Sequence, residues 1–183
     1  MIIYCFKTYK LLSNTIYYFS NFIGLDSKRL HNLQFLSDKE ILLCNGNTFQ
    51  VLNLEDLNNS RKIFQATETK GVGCFAVDVN KKYIAVGECG DYPNIYVYEY
   101  PSFKLFRILR KGTETAYTCM NFNKEGNYLA SVGSEPDYNL VIWNWVTETI
   151  ILKAKAFSQE VFCVDFSDNF EGKLYTSGIG HIR

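Results

Sequence analysis

The chain has 183 residues, of which 47% are hydrophobic and 16% aromatic, which is enough apolar material to bury a sizeable core as one domain. The aromatic share favours strands over helices, because flat rings pack well on a pleated surface. Its 19 basic and 19 acidic residues give a formal net charge of zero. That balance argues against a general nucleic-acid or anionic-membrane binder, since such binding needs a surplus of positive charge.

Residues 1–30 are a lead-in whose structure the sequence leaves open. Its longest uncharged run, Leu11 to Leu25, is shorter than the ~20 apolar residues that a membrane-spanning helix needs, so a transmembrane span is rejected. A secretory signal is conceivable, although no compact apolar core precedes a small-residue cleavage site. The lead-in could also be a helix or strand lying on the first structural unit, or a poorly ordered start.

An internal repeat organises the rest of the chain. The stretch from Tyr128 to Trp145, YLASVGSEPDYNLVIWNW, repeats the pattern of an earlier stretch from Tyr83 to Tyr100, YIAVGECGDYPNIYVYEY, 45 positions before it. Strand patterning inside a unit of roughly 40–45 residues is typical of β-propeller blades. We therefore expect each unit to be a small antiparallel sheet.

Four blades are predicted, at 31–66, 72–110, 116–155 and, incompletely, 160–183. In the first, Asn45-Gly46 between two apolar runs indicates a hairpin, because both residues tolerate positive φ. The predicted strands are, in order, Asn32–Leu36, Glu40–Cys44, Thr48–Leu54, Arg61–Gln65, Cys74–Val79, Tyr83–Gly87, Asn94–Glu99, Phe103–Leu109, Tyr117–Phe122, Tyr128–Val132, Asn139–Trp145, Thr149–Lys153, Val161–Phe166 and Leu174–Ser177.

Six cysteines raise the question of a disulfide or zinc site. None lies in a C-x-x-C pair, and only two histidines are present, so we predict neither a metal site nor a cofactor. Cys74, Cys119 and Cys163 recur at offsets of 45 and 44 inside apolar strand patterns. This spacing indicates one small hydrophobic residue packed at the same place in each blade, and reduced thiols fit a cytosolic compartment.

Two segments resemble WD repeats. CMNFNKEGNYLASVGS, from Cys119 to Ser134, looks like the first half of such a repeat, and Val141 to Asn144 looks like the strand that normally ends in Trp-Asp. Tyr98-Glu99 occupies the same place in the preceding unit, so both repeats lack that Asp and are degenerate. The resemblance implies an all-β fold, an incomplete WD40-like β-propeller of three four-stranded blades plus a partial fourth in an open arc.

An open arc leaves sheet edges that closure of a propeller would remove. We therefore expect the isolated chain to aggregate or to bind chaperones. A monodisperse monomer that unfolds cooperatively would contradict this expectation.

Two insertions are more specific than the repeat itself. GECGDYPN (Gly87–Asn94) and GSEPDYN (Gly133–Asn139) replace short turns, and with KAFSQEVF (Lys155–Phe162) they resemble the N-terminal propeller of the cilia- and flagella-associated protein 44 family. That resemblance implies a non-enzymatic scaffold of the axoneme, in the cytoskeleton of the cilium or flagellum. It would belong to the assembly that tethers inner dynein arm motor domains to doublet microtubules. Its partners would be other axonemal WD-repeat proteins and inner dynein arm components, with microtubule association and no nucleic acid or membrane.

The two inserted loops are also the best candidate for a binding surface. Adjacent blades would place them on one rim, and binding residues concentrate on loops that a rigid scaffold holds. Tyrosine is enriched at the centres of protein interfaces. The predicted protein-docking rim, called the docking rim below, consists of Asp91, Tyr92, Pro93, Pro136, Asp137 and Tyr138.

Catalysis has little support in the sequence. There is no G-x-S-x-G elbow, H-E-x-x-H motif or P-loop. A thiol hydrolase is arithmetically available because His31 and His181 coexist with the cysteines, but His181 follows a Gly-Ile-Gly turn and is interpreted as structural. A general cytosolic WD40 adaptor, such as a substrate receptor of a ubiquitin ligase, is the second functional hypothesis, which only the repeat supports.

Overall fold

A computed structural model describes residues 2–11, 14–24, 32–55, 61–65, 71–168 and 172–183. Within these ranges the chain forms strands and turns and no helix. The strands make five antiparallel sheets, each a simple meander in which neighbours in sequence are neighbours in the sheet. This arrangement follows from short connections, which join antiparallel strands without a crossover.

The lead-in contains two strands. β1 (Ile2–Leu11) pairs antiparallel with β2 (Asn14–Gly24), with a register irregularity between Cys5 and Phe6. β2 approaches a strand of the first blade, Glu40–Asn45. The sequence left a helix, a strand or a poorly ordered start open for this segment, and the structure shows strands.

Four further sheets correspond to the predicted blades. Three have four strands and the last has three. Their strands are β3 (Leu33–Phe35), β4 (Glu40–Asn45), β5 (Thr48–Asn53), β6 (Arg61–Gln65), β7 (Gly71–Val77), β8 (Tyr83–Cys89), β9 (Ile95–Glu99), β10 (Lys104–Leu109), β11 (Tyr117–Phe122), β12 (Tyr128–Gly133), β13 (Asn139–Asn144), β14 (Thr149–Lys155), β15 (Val161–Phe166), β16 (Leu174–Gly178) and β17 (His181–Ile182).

The predicted strand boundaries hold well, with one notable difference. β6, β11 and β15 have the predicted ends, whereas β7 lies earlier than expected. Gly71 pairs with Cys89 and so extends β7 backward, while Val79 falls in the turn to β8. Strand pairing across the sheet, which the apolar pattern does not reveal, therefore determines where β7 starts.

The blades pack side by side through their first strands. β7 lies against β11, and β11 lies against β15. In the described residues the sheets thus form an open arc and do not close into a barrel. The fold prediction, an incomplete WD40-like propeller, is confirmed.

The hydrophobic core lies between blades and follows the period-2 alternation of strands. On β7, Phe75 and Val77 pack against the first blade, while Cys74 and Ala76 pack against the third. Burying one large apolar side chain contributes about 1.5–3 kcal/mol. Because both faces of a blade need a neighbour, stability depends on contacts between adjacent blades.

A β-bulge recurs at the same place in three blades. The register shifts between Val72 and Cys74 on β7, between Tyr117 and Cys119 on β11, and between Val161 and Cys163 on β15. Each recurring cysteine therefore directly follows a bulge, Cys74 and Cys119 buried and Cys163 half-buried. The prediction that these three cysteines occupy one repeated position is confirmed.

Candidate docking rim

Both inserted loops lie at the same end of the blades. In an antiparallel meander the connection from the second to the third strand lies at the same end as the link that enters the next blade. The loop between β8 and β9, the loop between β12 and β13 and the link from β10 to β11 therefore share one rim. The turns from first to second strand lie on the opposite rim.

The link segment Glu114–Ala116 connects to the first loop through its backbone. The Gly90 N–H donates to the Thr115 carbonyl at 2.7 Å, and the Tyr92 N–H donates to the Glu114 carbonyl at 2.8 Å. Cys89 and Ala116 form an isolated antiparallel bridge. The loop is thereby held as a short extension of β8 against the link.

The same link segment also connects to the second loop. The Ser134 N–H donates to the Ala116 carbonyl at 2.8 Å, and the Thr115 hydroxyl lies 2.9 Å from the Ser134 hydroxyl. The Thr115 hydroxyl also donates to the Glu135 carbonyl. Sequence reasoning missed this segment, although the polar Thr-Glu-Thr run just before β11 was a signal that could have found it.

Asp137 shapes the second loop from inside. One carboxylate oxygen accepts from the Thr113 hydroxyl at 2.9 Å, and the other accepts from the Asn139 side-chain amide at 2.6 Å. Gly133 permits this arrangement, since a Cβ there would lie 2.2 Å from the Thr113 Oγ1 atom. Although the Asp of Trp-Asp is missing, hydrogen bonds of Asp137 tie this turn to the link.

A second polar contact supports the rim from the core. The Trp143 indole Nε1–H donates to the Ser131 hydroxyl at 2.8 Å, and both residues are fully buried. A Cβ at Gly112 would lie 2.8 Å from the Trp143 ring, so the ring packs directly under the link. The position of the link therefore depends on this buried tryptophan.

Glu88 closes the base of the first loop. It is fully buried, and its carboxylate accepts from the Asn94 N–H at 3.2 Å, while its own N–H donates to the Asn94 carbonyl at 3.1 Å. On the neighbouring strand, burial raises the pKa of Tyr98 to about 12, with smaller contributions from Tyr96 and Glu88. The Tyr98 phenol is therefore neutral at physiological pH.

The predicted rim residues differ in accessibility. Asp91, Tyr92 and Pro136 are exposed, and Asp137 and Tyr138 are half-buried. Pro93, in contrast, is buried, so its expected place on the surface is wrong. The cause is that Pro93 lies directly before Asn94, where the backbone turns inward to pair with Glu88.

Two of the cysteines considered for a thiol hydrolase lie where burial disfavours the reactive thiolate. Burial raises the pKa of Cys119 to about 12, and burial also raises the pKa of Cys163. His181 stacks on Phe157 with ring centroids 4.1 Å apart, and neither ring nitrogen has a hydrogen-bond partner among the described residues. His31 lies outside the described residues.

The buried thiol leads to a test by chemical labelling. At pH 8 we expect Cys119 of the folded chain to react with iodoacetamide about a thousandfold more slowly than in the urea-unfolded chain, because raising a thiol pKa by about three lowers the thiolate fraction by that factor. Mass spectrometry after timed labelling measures the rate, and the rate should rise with pH. Equal rates in folded and unfolded chain would contradict the buried, neutral thiol.

The described ranges were also compared with the requirements of a metal site and of a membrane-spanning helix. No group of three or more His, Cys, Asp or Glu side chains there is arranged to hold a metal ion. The same ranges contain no helix with the length and apolar character needed to cross a membrane.

The fold and the rim define a class of protein, a WD-repeat propeller arc that carries its distinctive residues on loops at one rim. No family model matches the chain. It is 45% identical to mouse cilia- and flagella-associated protein 44 over 160 residues, and 41% identical to the Chlamydomonas reinhardtii protein of that name over 167 residues. It is also 32% identical to Xenopus laevis cilia- and flagella-associated protein 43 over 139 residues.

These matches cover 87%, 87% and 76% of this chain, respectively. Over the matched part, the chain belongs to the cilia- and flagella-associated protein 44 family. It spans only 9%, 9% and 8% of the length of the three relatives.

Proposed function

We propose that this chain is a non-catalytic scaffold segment of the ciliary and flagellar axoneme, located in the cytoskeleton. It forms part of the assembly that tethers inner dynein arm motor domains to doublet microtubules and so supports motility. The observation that carries the proposal is the 45% identity to a protein named for cilia and flagella over 87% of this chain. A WD-repeat propeller arc suits such a scaffold, since it presents loops on a rigid frame.

The docking rim is the contact surface in this proposal. Its loops are held by backbone hydrogen bonds to Glu114–Ala116, so they can meet a partner without first becoming ordered. The partners are other axonemal WD-repeat proteins and inner dynein arm components. Through them the chain is associated with microtubules.

The test is to tag the endogenous chain in a ciliated cell and to extract the membrane and soluble matrix with detergent. We expect the tag to remain along the axoneme at the spacing of the dynein arms. In cells from which the chain has been deleted, tomograms of the axonemes should show the inner arm motor domains displaced. A wholly soluble pool would overturn the proposal and leave the general WD40 adaptor as the better interpretation.

A further inference from the structure

We propose that Tyr92 is the anchor of the docking rim and inserts into a basic cleft of the partner protein, whereas Tyr138 serves to hold the rim in place. This inference rests on the proposed scaffold function, and it adds the chemistry of the contact. The observations that lead to it are the different environments of the two tyrosines in the inserted loops and the acidic residues beside one of them.

The two tyrosines share a backbone conformation but not an environment. Tyr92 has φ 49° and Tyr138 has φ 46°, both in the left-handed region that non-glycine residues rarely adopt. Tyr138 is half-buried, its N–H donates to the Ser134 carbonyl at 3.0 Å, and its carbonyl accepts from the Ala156 N–H at 2.8 Å. Tyr138 therefore ties the second loop to the link that follows β14.

Tyr92 is 78% exposed, more than any other aromatic residue of the stretch from Gly71 to Asp168. Its backbone is fixed, because its N–H pairs with the Glu114 carbonyl and Gly90 pairs with Thr115. A large ring on a fixed backbone loses little conformational entropy when it binds. An exposed tyrosine held in this way has the properties of an interface anchor.

Acidic residues lie beside the Tyr92 backbone and its pairing partners. Asp91 directly precedes Tyr92 in the chain, and the Glu114 carbonyl accepts from the Tyr92 N–H. Glu135 is next to this pair, because its carbonyl accepts from the hydroxyl of Thr115. All three acidic side chains are exposed. No ion pair involves Glu114 or Glu135 within the described part of the chain. A partner that covers Glu114 and Glu135 is expected to present positive charge to them, since like charges across an interface repel each other.

The experiment uses axonemes from cells that lack the chain, stripped of membrane, and the full chain as it is expressed in the cell. Co-sedimentation over a KCl series measures the apparent affinity of each variant. We expect Tyr92→Ala to bind about tenfold more weakly and Tyr92→Phe to bind nearly as the wild type, because the ring supplies most of the contact. Val79→Ala, exposed on the opposite rim, is the matched control.

The charge is tested separately. The double variant Glu114→Gln and Glu135→Gln should bind more weakly at low salt, and its affinity should fall less steeply as KCl rises. Tighter binding by this variant would indicate an acidic partner and would overturn the basic cleft. Resistance to brief proteolysis must equal that of the wild type for each variant, which separates lost binding from lost folding.

The outcomes distinguish the two proposals. If wild-type chain is retained on axonemes and Tyr92→Ala is retained equally, the anchor is refuted and the scaffold function stands. If instead Tyr138→Phe weakens binding as much as Tyr92→Ala while resisting proteolysis, the division of roles between the tyrosines is refuted. If the wild-type chain does not bind axonemes at any salt concentration, the scaffold function fails and the inference fails with it.

Discussion

Replacing Trp143 by alanine is expected to lower the free energy of unfolding by about 4 kcal/mol, the range typical of removing a large aromatic side chain from a core. Trp143 is fully buried between the second and third blades, and its indole nitrogen donates to the buried Ser131 hydroxyl at 2.8 Å. The substitution removes the ring and leaves that hydroxyl without its partner. Pulse proteolysis across a urea series in lysate measures the loss as a lower midpoint.

Two variants serve as controls for this prediction. Trp143→Phe keeps most of the ring and loses the hydrogen bond, so its midpoint should lie between those of wild type and Trp143→Ala. Val146→Ala, at a side chain that is 42% exposed, should change the free energy by less than about 0.5 kcal/mol. A midpoint for Trp143→Ala that matched Val146→Ala would show that the core between these blades is not formed as described.

Replacing Gly73 by alanine is expected to cost about 3 kcal/mol, at the upper end of what overpacking usually costs. An added Cβ would lie 2.1 Å from the Tyr117 carbonyl oxygen and 3.3 Å from the Glu88 carbonyl oxygen. Both atoms are backbone, so neither can rotate away as a flexible side chain would. The first strands β7 and β11 would have to separate. The same urea midpoint measures the effect.

Gly46→Ala is the matched control for Gly73→Ala. Gly46 has φ +62°, but a Cβ there meets no atom within 4 Å. It therefore tests backbone strain alone, which costs on the order of 1 kcal/mol for a left-handed non-glycine residue. Equal midpoints for the two variants would mean that the close approach of β7 and β11 does not limit this position.

Local chemistry accounts for most of the fold that the sequence predicted. The predicted hairpin between β4 and β5 is present, with Gly46-Asn47 as its turn and Asn45 inside β4. Positive φ at Gly46 is a local preference that no distant contact has to impose. Alternation of apolar residues predicted the strands, and β11 and β15 have the predicted ends. The three recurring cysteines were correctly assigned to one repeated position because the repeat places them at nearly equal spacing.

The docking rim was predictable only in part. Two loops of similar length and composition on adjacent units implied a shared rim, since equivalent connections of neighbouring blades lie at the same end. That Pro93 is buried was not predictable, because accessibility depends on which backbone groups the loop pairs with. Whether the rim binds a partner stays a prediction.

The sequence by itself determined the repeat, the strand order and the family. The repeat and the strands follow from local residue patterns, and the family follows from sequence identity to relatives. Only the tertiary structure decided how the blades meet. The link Glu114–Ala116 joins both loops, Gly73 admits the close approach of β11, and the tyrosines of the two loops differ in exposure. These features depend on atoms that are distant in sequence and that approach within hydrogen-bonding or van der Waals distance only when neighbouring blades are packed.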